Sequence, residues 1–463
     1  MRRLVWVILG IGVCLFVLAA QQSDIVAKLT GGERPRMAIP ELRGAGAAQP
    51  FMAAFNQTLW SDVDQAGLFR MVPRTNYPLG IPQQPLDFRT PPPQPQTPPR
   101  RGRNEIVTPP NGGGYWLTDW SSPPASANYL AFGYTAVQND VFVLYGWLFD
   151  LRTGNVQGAQ VIGKRYFGSV DEKGARKVAH EFAADIISQF GGQSLFGSKI
   201  YFVSNRSGSK EIWSMDPDGS NQTRFSKFNS ISIMPAVAPD GSKIAFTSYV
   251  RGNPAIFIFS VDPVRQLPFY NQVASMNATP DFTPDGKQLV YSSTASGWAQ
   301  IYVANLDGSN LRRISSTRAI EVEPKVNPKT GSDLVFVSGR SGPQQIYRMN
   351  MDGANVERVS PGEGEASNPS WHPNGQFIAF AWTRGYATGN FNIFIMDVAT
   401  RKYDQLTHSE GRNENPSWAP DGRHIVFMST RSGQPQIWSM LADGTQAQRL
   451  TTQGSNWTPV WSK

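Results

Sequence analysis

Few side chains in this sequence stand at spacings that would support catalysis. His180-Glu181 opens like the H-E-x-x-H helix motif, in which two imidazoles one turn apart bind zinc and the glutamate acts as base, but position 184 is Ala184 and the second ligand is missing. His180 is therefore expected as a boundary residue of its helix. Asp216-Pro217-Asp218-Gly219 begins like a calcium loop without the later oxygen ligands and reads as a hairpin turn. His372, His408 and His424 share no spacing, and no Gly-x-Ser-x-Gly elbow is present to expose a serine nucleophile. The one cysteine, Cys14, lies in an apolar leader, so the mature chain has neither a disulfide nor a thiolate ligand. No catalytic residue, metal site or cofactor is expected.

The residues that do recur are of another kind. Met234, Thr279, Glu323, Asn368, Asn415 and Thr458 each stand immediately before a proline, with Glu321, Glu365 and Glu414 close by. If these segments are the innermost strands of a closed ring, the loops entering them gather at a central funnel, and its acidic groups make a partly negative mouth. Such a mouth favours a basic or hydrogen-bonding partner segment.

The elements that would build this ring are legible as a repeat. A β-rich phrase returns six times, at Ile200-Tyr201-Phe202, Ile244-Ala245-Phe246, Leu289-Val290-Tyr291, Leu334-Val335-Phe336, Ile378-Ala379-Phe380 and Ile425-Val426-Phe427, with steps of 44, 45, 45, 44 and 47 residues. A period of that length marks a repeat architecture. Three copies continue into Ser-x-Arg-Ser-Gly (204–208, 338–342, 429–433), which suits a tight hairpin; a second strand, an Asp-Gly turn and a short third strand follow. Five copies are preceded by a strand ending in Pro-Asp-Gly or a close variant, while the first copy has none and its counterpart lies at residues 459–463. Four-stranded units of this size close radially, and a C-terminal strand that completes the first unit removes the exposed edges of an open array. A six-bladed all-β propeller is expected over residues 196–463, in preference to an open β-solenoid.

Residues 21–192 are expected to form a small α/β domain, a mixed sheet covered by two helices. One helix carries Phe51, Phe55, Leu59 and Val63 on one face behind Pro50; the other has Asp171 at its cap, an apolar stripe from Ala175 to Phe190 and a stop at Gly191-Gly192. Strands are expected at 36–41, 69–72, 129–137, 141–149 and 159–167. Between them, residues 78–114 are so rich in Pro, Gln, Arg and Gly that an extended surface excursion is expected.

Residues 1–20 run from Arg2-Arg3 through an apolar stretch to Ala19-Ala20, the order of a cleavable export signal, and too short to span a bilayer. Val13 before Cys14 argues against a lipid anchor, and an uncleaved anchor is the competing reading. Export places the chain in the periplasm. The formal charge of +8 is spread over 463 residues, without the basic stripe that nucleic-acid binding needs.

With these residues in view, the sequence resembles the TolB family of the Tol-Pal cell-envelope system. The resemblance is carried by Arg34-Pro35, Met37-Ala38-Ile39-Pro40, Gly67-Leu68-Phe69, Leu148-Phe149-Asp150-Leu151, Ala179-His180, Phe190-Gly191, Ile200-Tyr201-Phe202-Val203 and the repeated Pro-Asp-Gly. It implies a monomeric, non-enzymatic adaptor whose propeller binds a peptidoglycan-associated lipoprotein of the Pal type, in support of envelope integrity and cell division. It further implies that the segment after the leader, with Gln22, Asp24, Ile25 and Val26, contacts a TolA-type inner-membrane protein. Two departures stand out: the Pro-rich insertion lies outside the family pattern, and residues 22–33 match it only loosely. Two other classes compete, a propeller sensor for a small ligand or glycan and a degenerate peptidase-associated propeller.

Overall fold

The computed structural model describes residues 34–89 and 114–463 together with Ile25 and Lys28. They fall into two compact units, Glu33–Phe196 and a second that comprises Gly197–Lys463 with Ile25 and Lys28.

In the first unit the sheet runs β3 (Arg70–Met71), β1 (Arg36–Ala38), β4 (Tyr129–Gln138), β5 (Val141–Asp150), β6 (Gln160–Gly168), with β2 (Arg43–Gly44) also on β4. The short strands pair in parallel and β4–β5–β6 antiparallel, which makes the sheet mixed. Strand alternation sorts β5 between two cores. Phe142, Leu144 and Leu148 face helices α1 (Met52–Gln65) and α2 (Glu172–Gln189), and between them Gly146 leaves room for the Phe182 ring, which a Cβ would meet at 3.1 Å. The Asp171 carboxylate caps α2 by accepting the Gly174 N–H at 2.6 Å.

The opposite face is covered by a second core in which Phe149 packs with Phe88, Leu117 and Trp120. Part of the expected excursion is thus an integral part of the unit: residues 78–89 are placed, Phe88 packs in this core beside Tyr77, and Phe88 bridges to Tyr115. Composition hid this because a few aromatic anchors sit among many prolines. The central stretch, 90–113, lies outside the described residues.

The second unit is six four-stranded antiparallel sheets. Blade 1 is completed by Asn456–Trp461, which pairs antiparallel with Ile200–Ser207 as its innermost strand. Blades 2 to 6 follow in chain order, with innermost strands Ser232–Val237, Asn277–Phe282, Glu321–Val326, Ala366–Trp371 and Asn413–Trp418. Apolar clusters straddle neighbouring blades, as where Val335 and Ile346 of blade 4 pack with Phe380 and Trp382 of blade 5. Burial between blades, in place of one central core, is what allows a channel on the axis.

The Ser-x-Arg-Ser-Gly motif does more than turn the chain. Arg206, Arg340 and Arg431 lie over Trp213, Tyr347 and Trp438 at 4.7, 4.8 and 4.9 Å. Each also reaches the start of the innermost strand of its own blade, at Asn456, Glu321 and Asn413 respectively. The arginine fastens the hairpin to the strand that lines the axis.

Candidate functional site: the central channel

Every innermost strand breaks register at the same place, between 233 and 236, 278 and 281, 322 and 325, 367 and 370, 414 and 417, and 457 and 460. Proline, which has no N–H to offer the ladder, occupies the bulge. The residue before it is left-handed each time, with φ +55° at Met234, +50° at Thr279, +54° at Glu323, +52° at Asn368 and Asn415, and +42° at Thr458. Asparagine tolerates this region; methionine, glutamate and the β-branched threonines do so only under constraint.

The constraint is a chain of hydrogen bonds around the axis. The Glu323 N–H donates to Thr279 Oγ1 at 3.3 Å, the Asn368 N–H to Glu323 Oε2 at 2.8 Å and the Asn415 N–H to Asn368 Oδ1 at 3.3 Å. Blades 3, 4 and 5 thus each cap the orphan N–H of the blade that follows. A second tier lies further along the strands, where the Val326 N–H donates to Asp281 Oδ2 at 2.9 Å, Trp418 to Ser370 Oγ at 3.3 Å and Trp461 to Ser417 Oγ at 3.1 Å.

Together the six residues line a cavity of about 390 Å³ that extends along the strands to Pro239, Pro284, Pro328, Pro373 and Pro420. It therefore runs toward the Pro-Asp-Gly turns, not toward the loops that enter the strands, because side chains after the bulge are the ones turned onto the axis.

The neighbouring glutamates do not share the cavity wall. Glu321 is buried and paired with Arg340 and Ser338. Glu365 precedes its strand, its N–H bonded to Thr383 Oγ1 at 2.8 Å. Glu414 is held by Arg412 at 2.7 Å, and burial pushes its carboxyl above the usual range despite that arginine. Of the expected acidic mouth, Glu323 remains, and sequence reading missed its companions Asp281, Lys325, Trp371, Trp418 and Trp461. Their signal was present, two and three places after each ring residue, but was read as ordinary strand.

Burial is the main force on the two carboxyls of the wall. It raises Glu323, opposed by the Asn368 donors, and raises Asp281, opposed by Lys325 at 3.3 Å.

Of the post-leader residues, Gln22, Asp24 and Val26 lie outside the described residues. Ile25 is buried in a cluster with Phe377, Ile393 and Leu406 of blade 5 and Ala442 of blade 6, and Lys28 Nζ is 4.0 Å from Asp397. Three of the four histidines are held as structural groups: His180 bonds Asp62 at 2.5 Å, His424 bonds Asp421 at 2.6 Å, and His372, its basicity lowered by burial, is tied to Gly422 O at 2.9 Å, while His408 is exposed.

Six antiparallel blades closed around a central cavity, with a mixed α/β unit beside them in sequence, define a six-bladed β-propeller protein. The family model described as TolB beta propeller domain matches residues 188–386 and 362–463. This chain belongs to that TolB family. It is 40% identical over 131 residues to the protein TolB homolog of Chlorobium chlorochromatii, 28% of each chain, and 32% identical over 214 residues to the Tol-Pal system protein TolB of Bordetella pertussis, 45% of this chain and 47% of that one. The chain thus spans between about a quarter and a half of the length of these curated relatives. The crystal structure of TolB from Acinetobacter baumannii superposes with a TM-score of 0.69 over 93% of this chain and 97% of that one, at 20% identity, and so shares the fold. Among the described residues no helix is long and apolar enough to cross a membrane.

Proposed function

We propose that this protein is a periplasmic docking component of the Tol-Pal system. Residues 1–20 direct export, the propeller channel binds a Pal-type peptidoglycan-associated lipoprotein, and the segment containing Gln22, Asp24, Ile25 and Val26 meets a TolA-type inner-membrane protein. The chain acts as a monomeric adaptor that links the two membranes through its partners, supporting envelope integrity and division, and it does no chemistry of its own.

The observation that carries this reading is the ring. Six left-handed residues, four of them types that resist that conformation, line one cavity, and four of the six, Thr279, Glu323, Asn368 and Asn415, are joined by interblade hydrogen bonds. Strain repeated at one site is commonly kept for recognition. The Bordetella pertussis relative, called Tol-Pal system protein TolB, lends support.

Site-specific photocrosslinkers placed at Met234, Glu323 and Asn415 in the producing cells test it. Attachment of the Pal-type lipoprotein from at least two positions is the expected result. Labelling of glycan alone, or of no protein, would overturn the reading.

A further inference from the structure

The six ring positions repeat around one axis, so the backbone alone would let a docking partner seat in six rotations. Side chains break that equivalence. Blades 3 and 4 supply Asp281, Glu323 and Lys325, whereas blades 5, 6 and 1 supply Trp371, Trp418 and Trp461.

The charges on the acidic wall are not balanced. Lys325 lies 3.3 Å from Asp281, while Glu323 accepts from the Asn368 N–H at 2.8 Å and from its amide at 3.1 Å, both neutral donors. Glu414 adds repulsion, itself held by Arg412. Lys325 is thus the one lysine shared by two carboxylates, acting on Glu323 as well as Asp281, and a second cation brought within reach would complete the set. In the Trp wall the Trp418 Nε1–H, on a residue only 5% exposed, has no hydrogen-bond partner, nor has Thr458 Oγ1 beside it.

We propose that the channel is a socket for one cationic side chain, lysine or arginine, presented by the docking partner. Glu323 and Asp281 receive the cation, the indoles of blades 5, 6 and 1 pack its aliphatic stem, and this contact selects one of the six rotations. The cavity volume suits one long side chain. The proposal rests on the reading of the channel as the docking site and names what that site recognises.

The test uses the full chain and the soluble domain of the Pal-type lipoprotein from the same bacterium, titrated calorimetrically. E323Q with D281N is expected to weaken binding at least tenfold with the melting transition retained. M234W, which fills the cavity from the apolar side, abolishes it. Among partner variants with single Lys or Arg replaced by Met, one loses affinity against the parent chain and loses none against E323Q/D281N. Should E323Q, D281N and their combination bind as the parent does while M234W does not, the channel docks its partner without the cation and the proposal fails. Should M234W also bind normally, the docking reading itself fails.

Discussion

Glu323 of blade 4 and Asn368 of blade 5 are joined twice, the carboxylate accepting both the backbone N–H at 2.8 Å and the side-chain amide at 3.1 Å. The Oδ1 of the same Asn368 in turn accepts from the Asn415 N–H. This one residue therefore combines left-handed strain with an interblade relay, and substitution separates the two. Asn368→Ala and Asn368→Gly lose the same hydrogen bonds, but only alanine meets the steric cost at φ +52°. Asn368→Ala is expected to be the less stable by about 1 kcal/mol in urea unfolding. Equal stabilities would mean the ring is not strained.

The channel carboxyls make stability depend on pH in a definite direction. Burial raises Glu323, Asp281 and Glu414 above their unfolded values, with Lys325 and Arg412 as the opposing cations. A raised acid stabilises the fold when protonated, and that contribution is lost as pH rises through the raised value. The melting temperature of the parent relative to Glu323→Gln should fall as pH goes from 4 to 8. A difference that is flat, or that rises, contradicts the burial argument.

Closure can be tested by removing residues 459–463. The deletion takes away the Val460 and Trp461 pairings with Tyr201 and Ile200, the Trp461 indole bond to Ser198 at 3.0 Å and the Ser462 contacts with Lys199. Loss of one buried tryptophan alone costs about 3–5 kcal/mol, and the bared strand edge invites association. A large fall in the urea midpoint and oligomers on gel filtration are expected; a truncated chain as stable as the parent is incompatible with a ring closed by this strand.

Blade 1 carries a charge where blades 3, 4 and 6 use an amide. Glu211, fully buried, accepts from Arg224 at 2.9 Å and the Asn229 N–H at 2.6 Å, and is bonded to Ser226. Gln300, Gln345 and Gln436 fill the same post on Ser315, Ser360 and Thr451 in other blades. Glu211→Ala should cost about 3–5 kcal/mol by stranding Arg224. Glu211→Gln should recover at least half of that loss in chemical denaturation, because the blade geometry already accepts glutamine there.

Much of the fold was readable without coordinates. Six phrases at near-constant spacing and a displaced final strand dictate a closed ring, since a strand pattern with period two and a module too small to bury its own faces leave few other solutions. The apolar stripe from Ala175 to Phe182 likewise sufficed to place α2, because helical periodicity is local. The six residues before the prolines could also be aligned by eye. Their chemistry could not. Glu321 and Glu323 differ by two places in one strand, yet the first is buried against Arg340 and the second faces the axis. The bulge between them and the blades on either side, not residue type, decide which carboxylate meets the cavity. Likewise the pairing of Asp281 with Lys325, and of Phe88 with Phe149, joins residues distant in the chain. Local periodicity is written into sequence, whereas burial, register breaks and long-range partners arise only once separate strands share a ring.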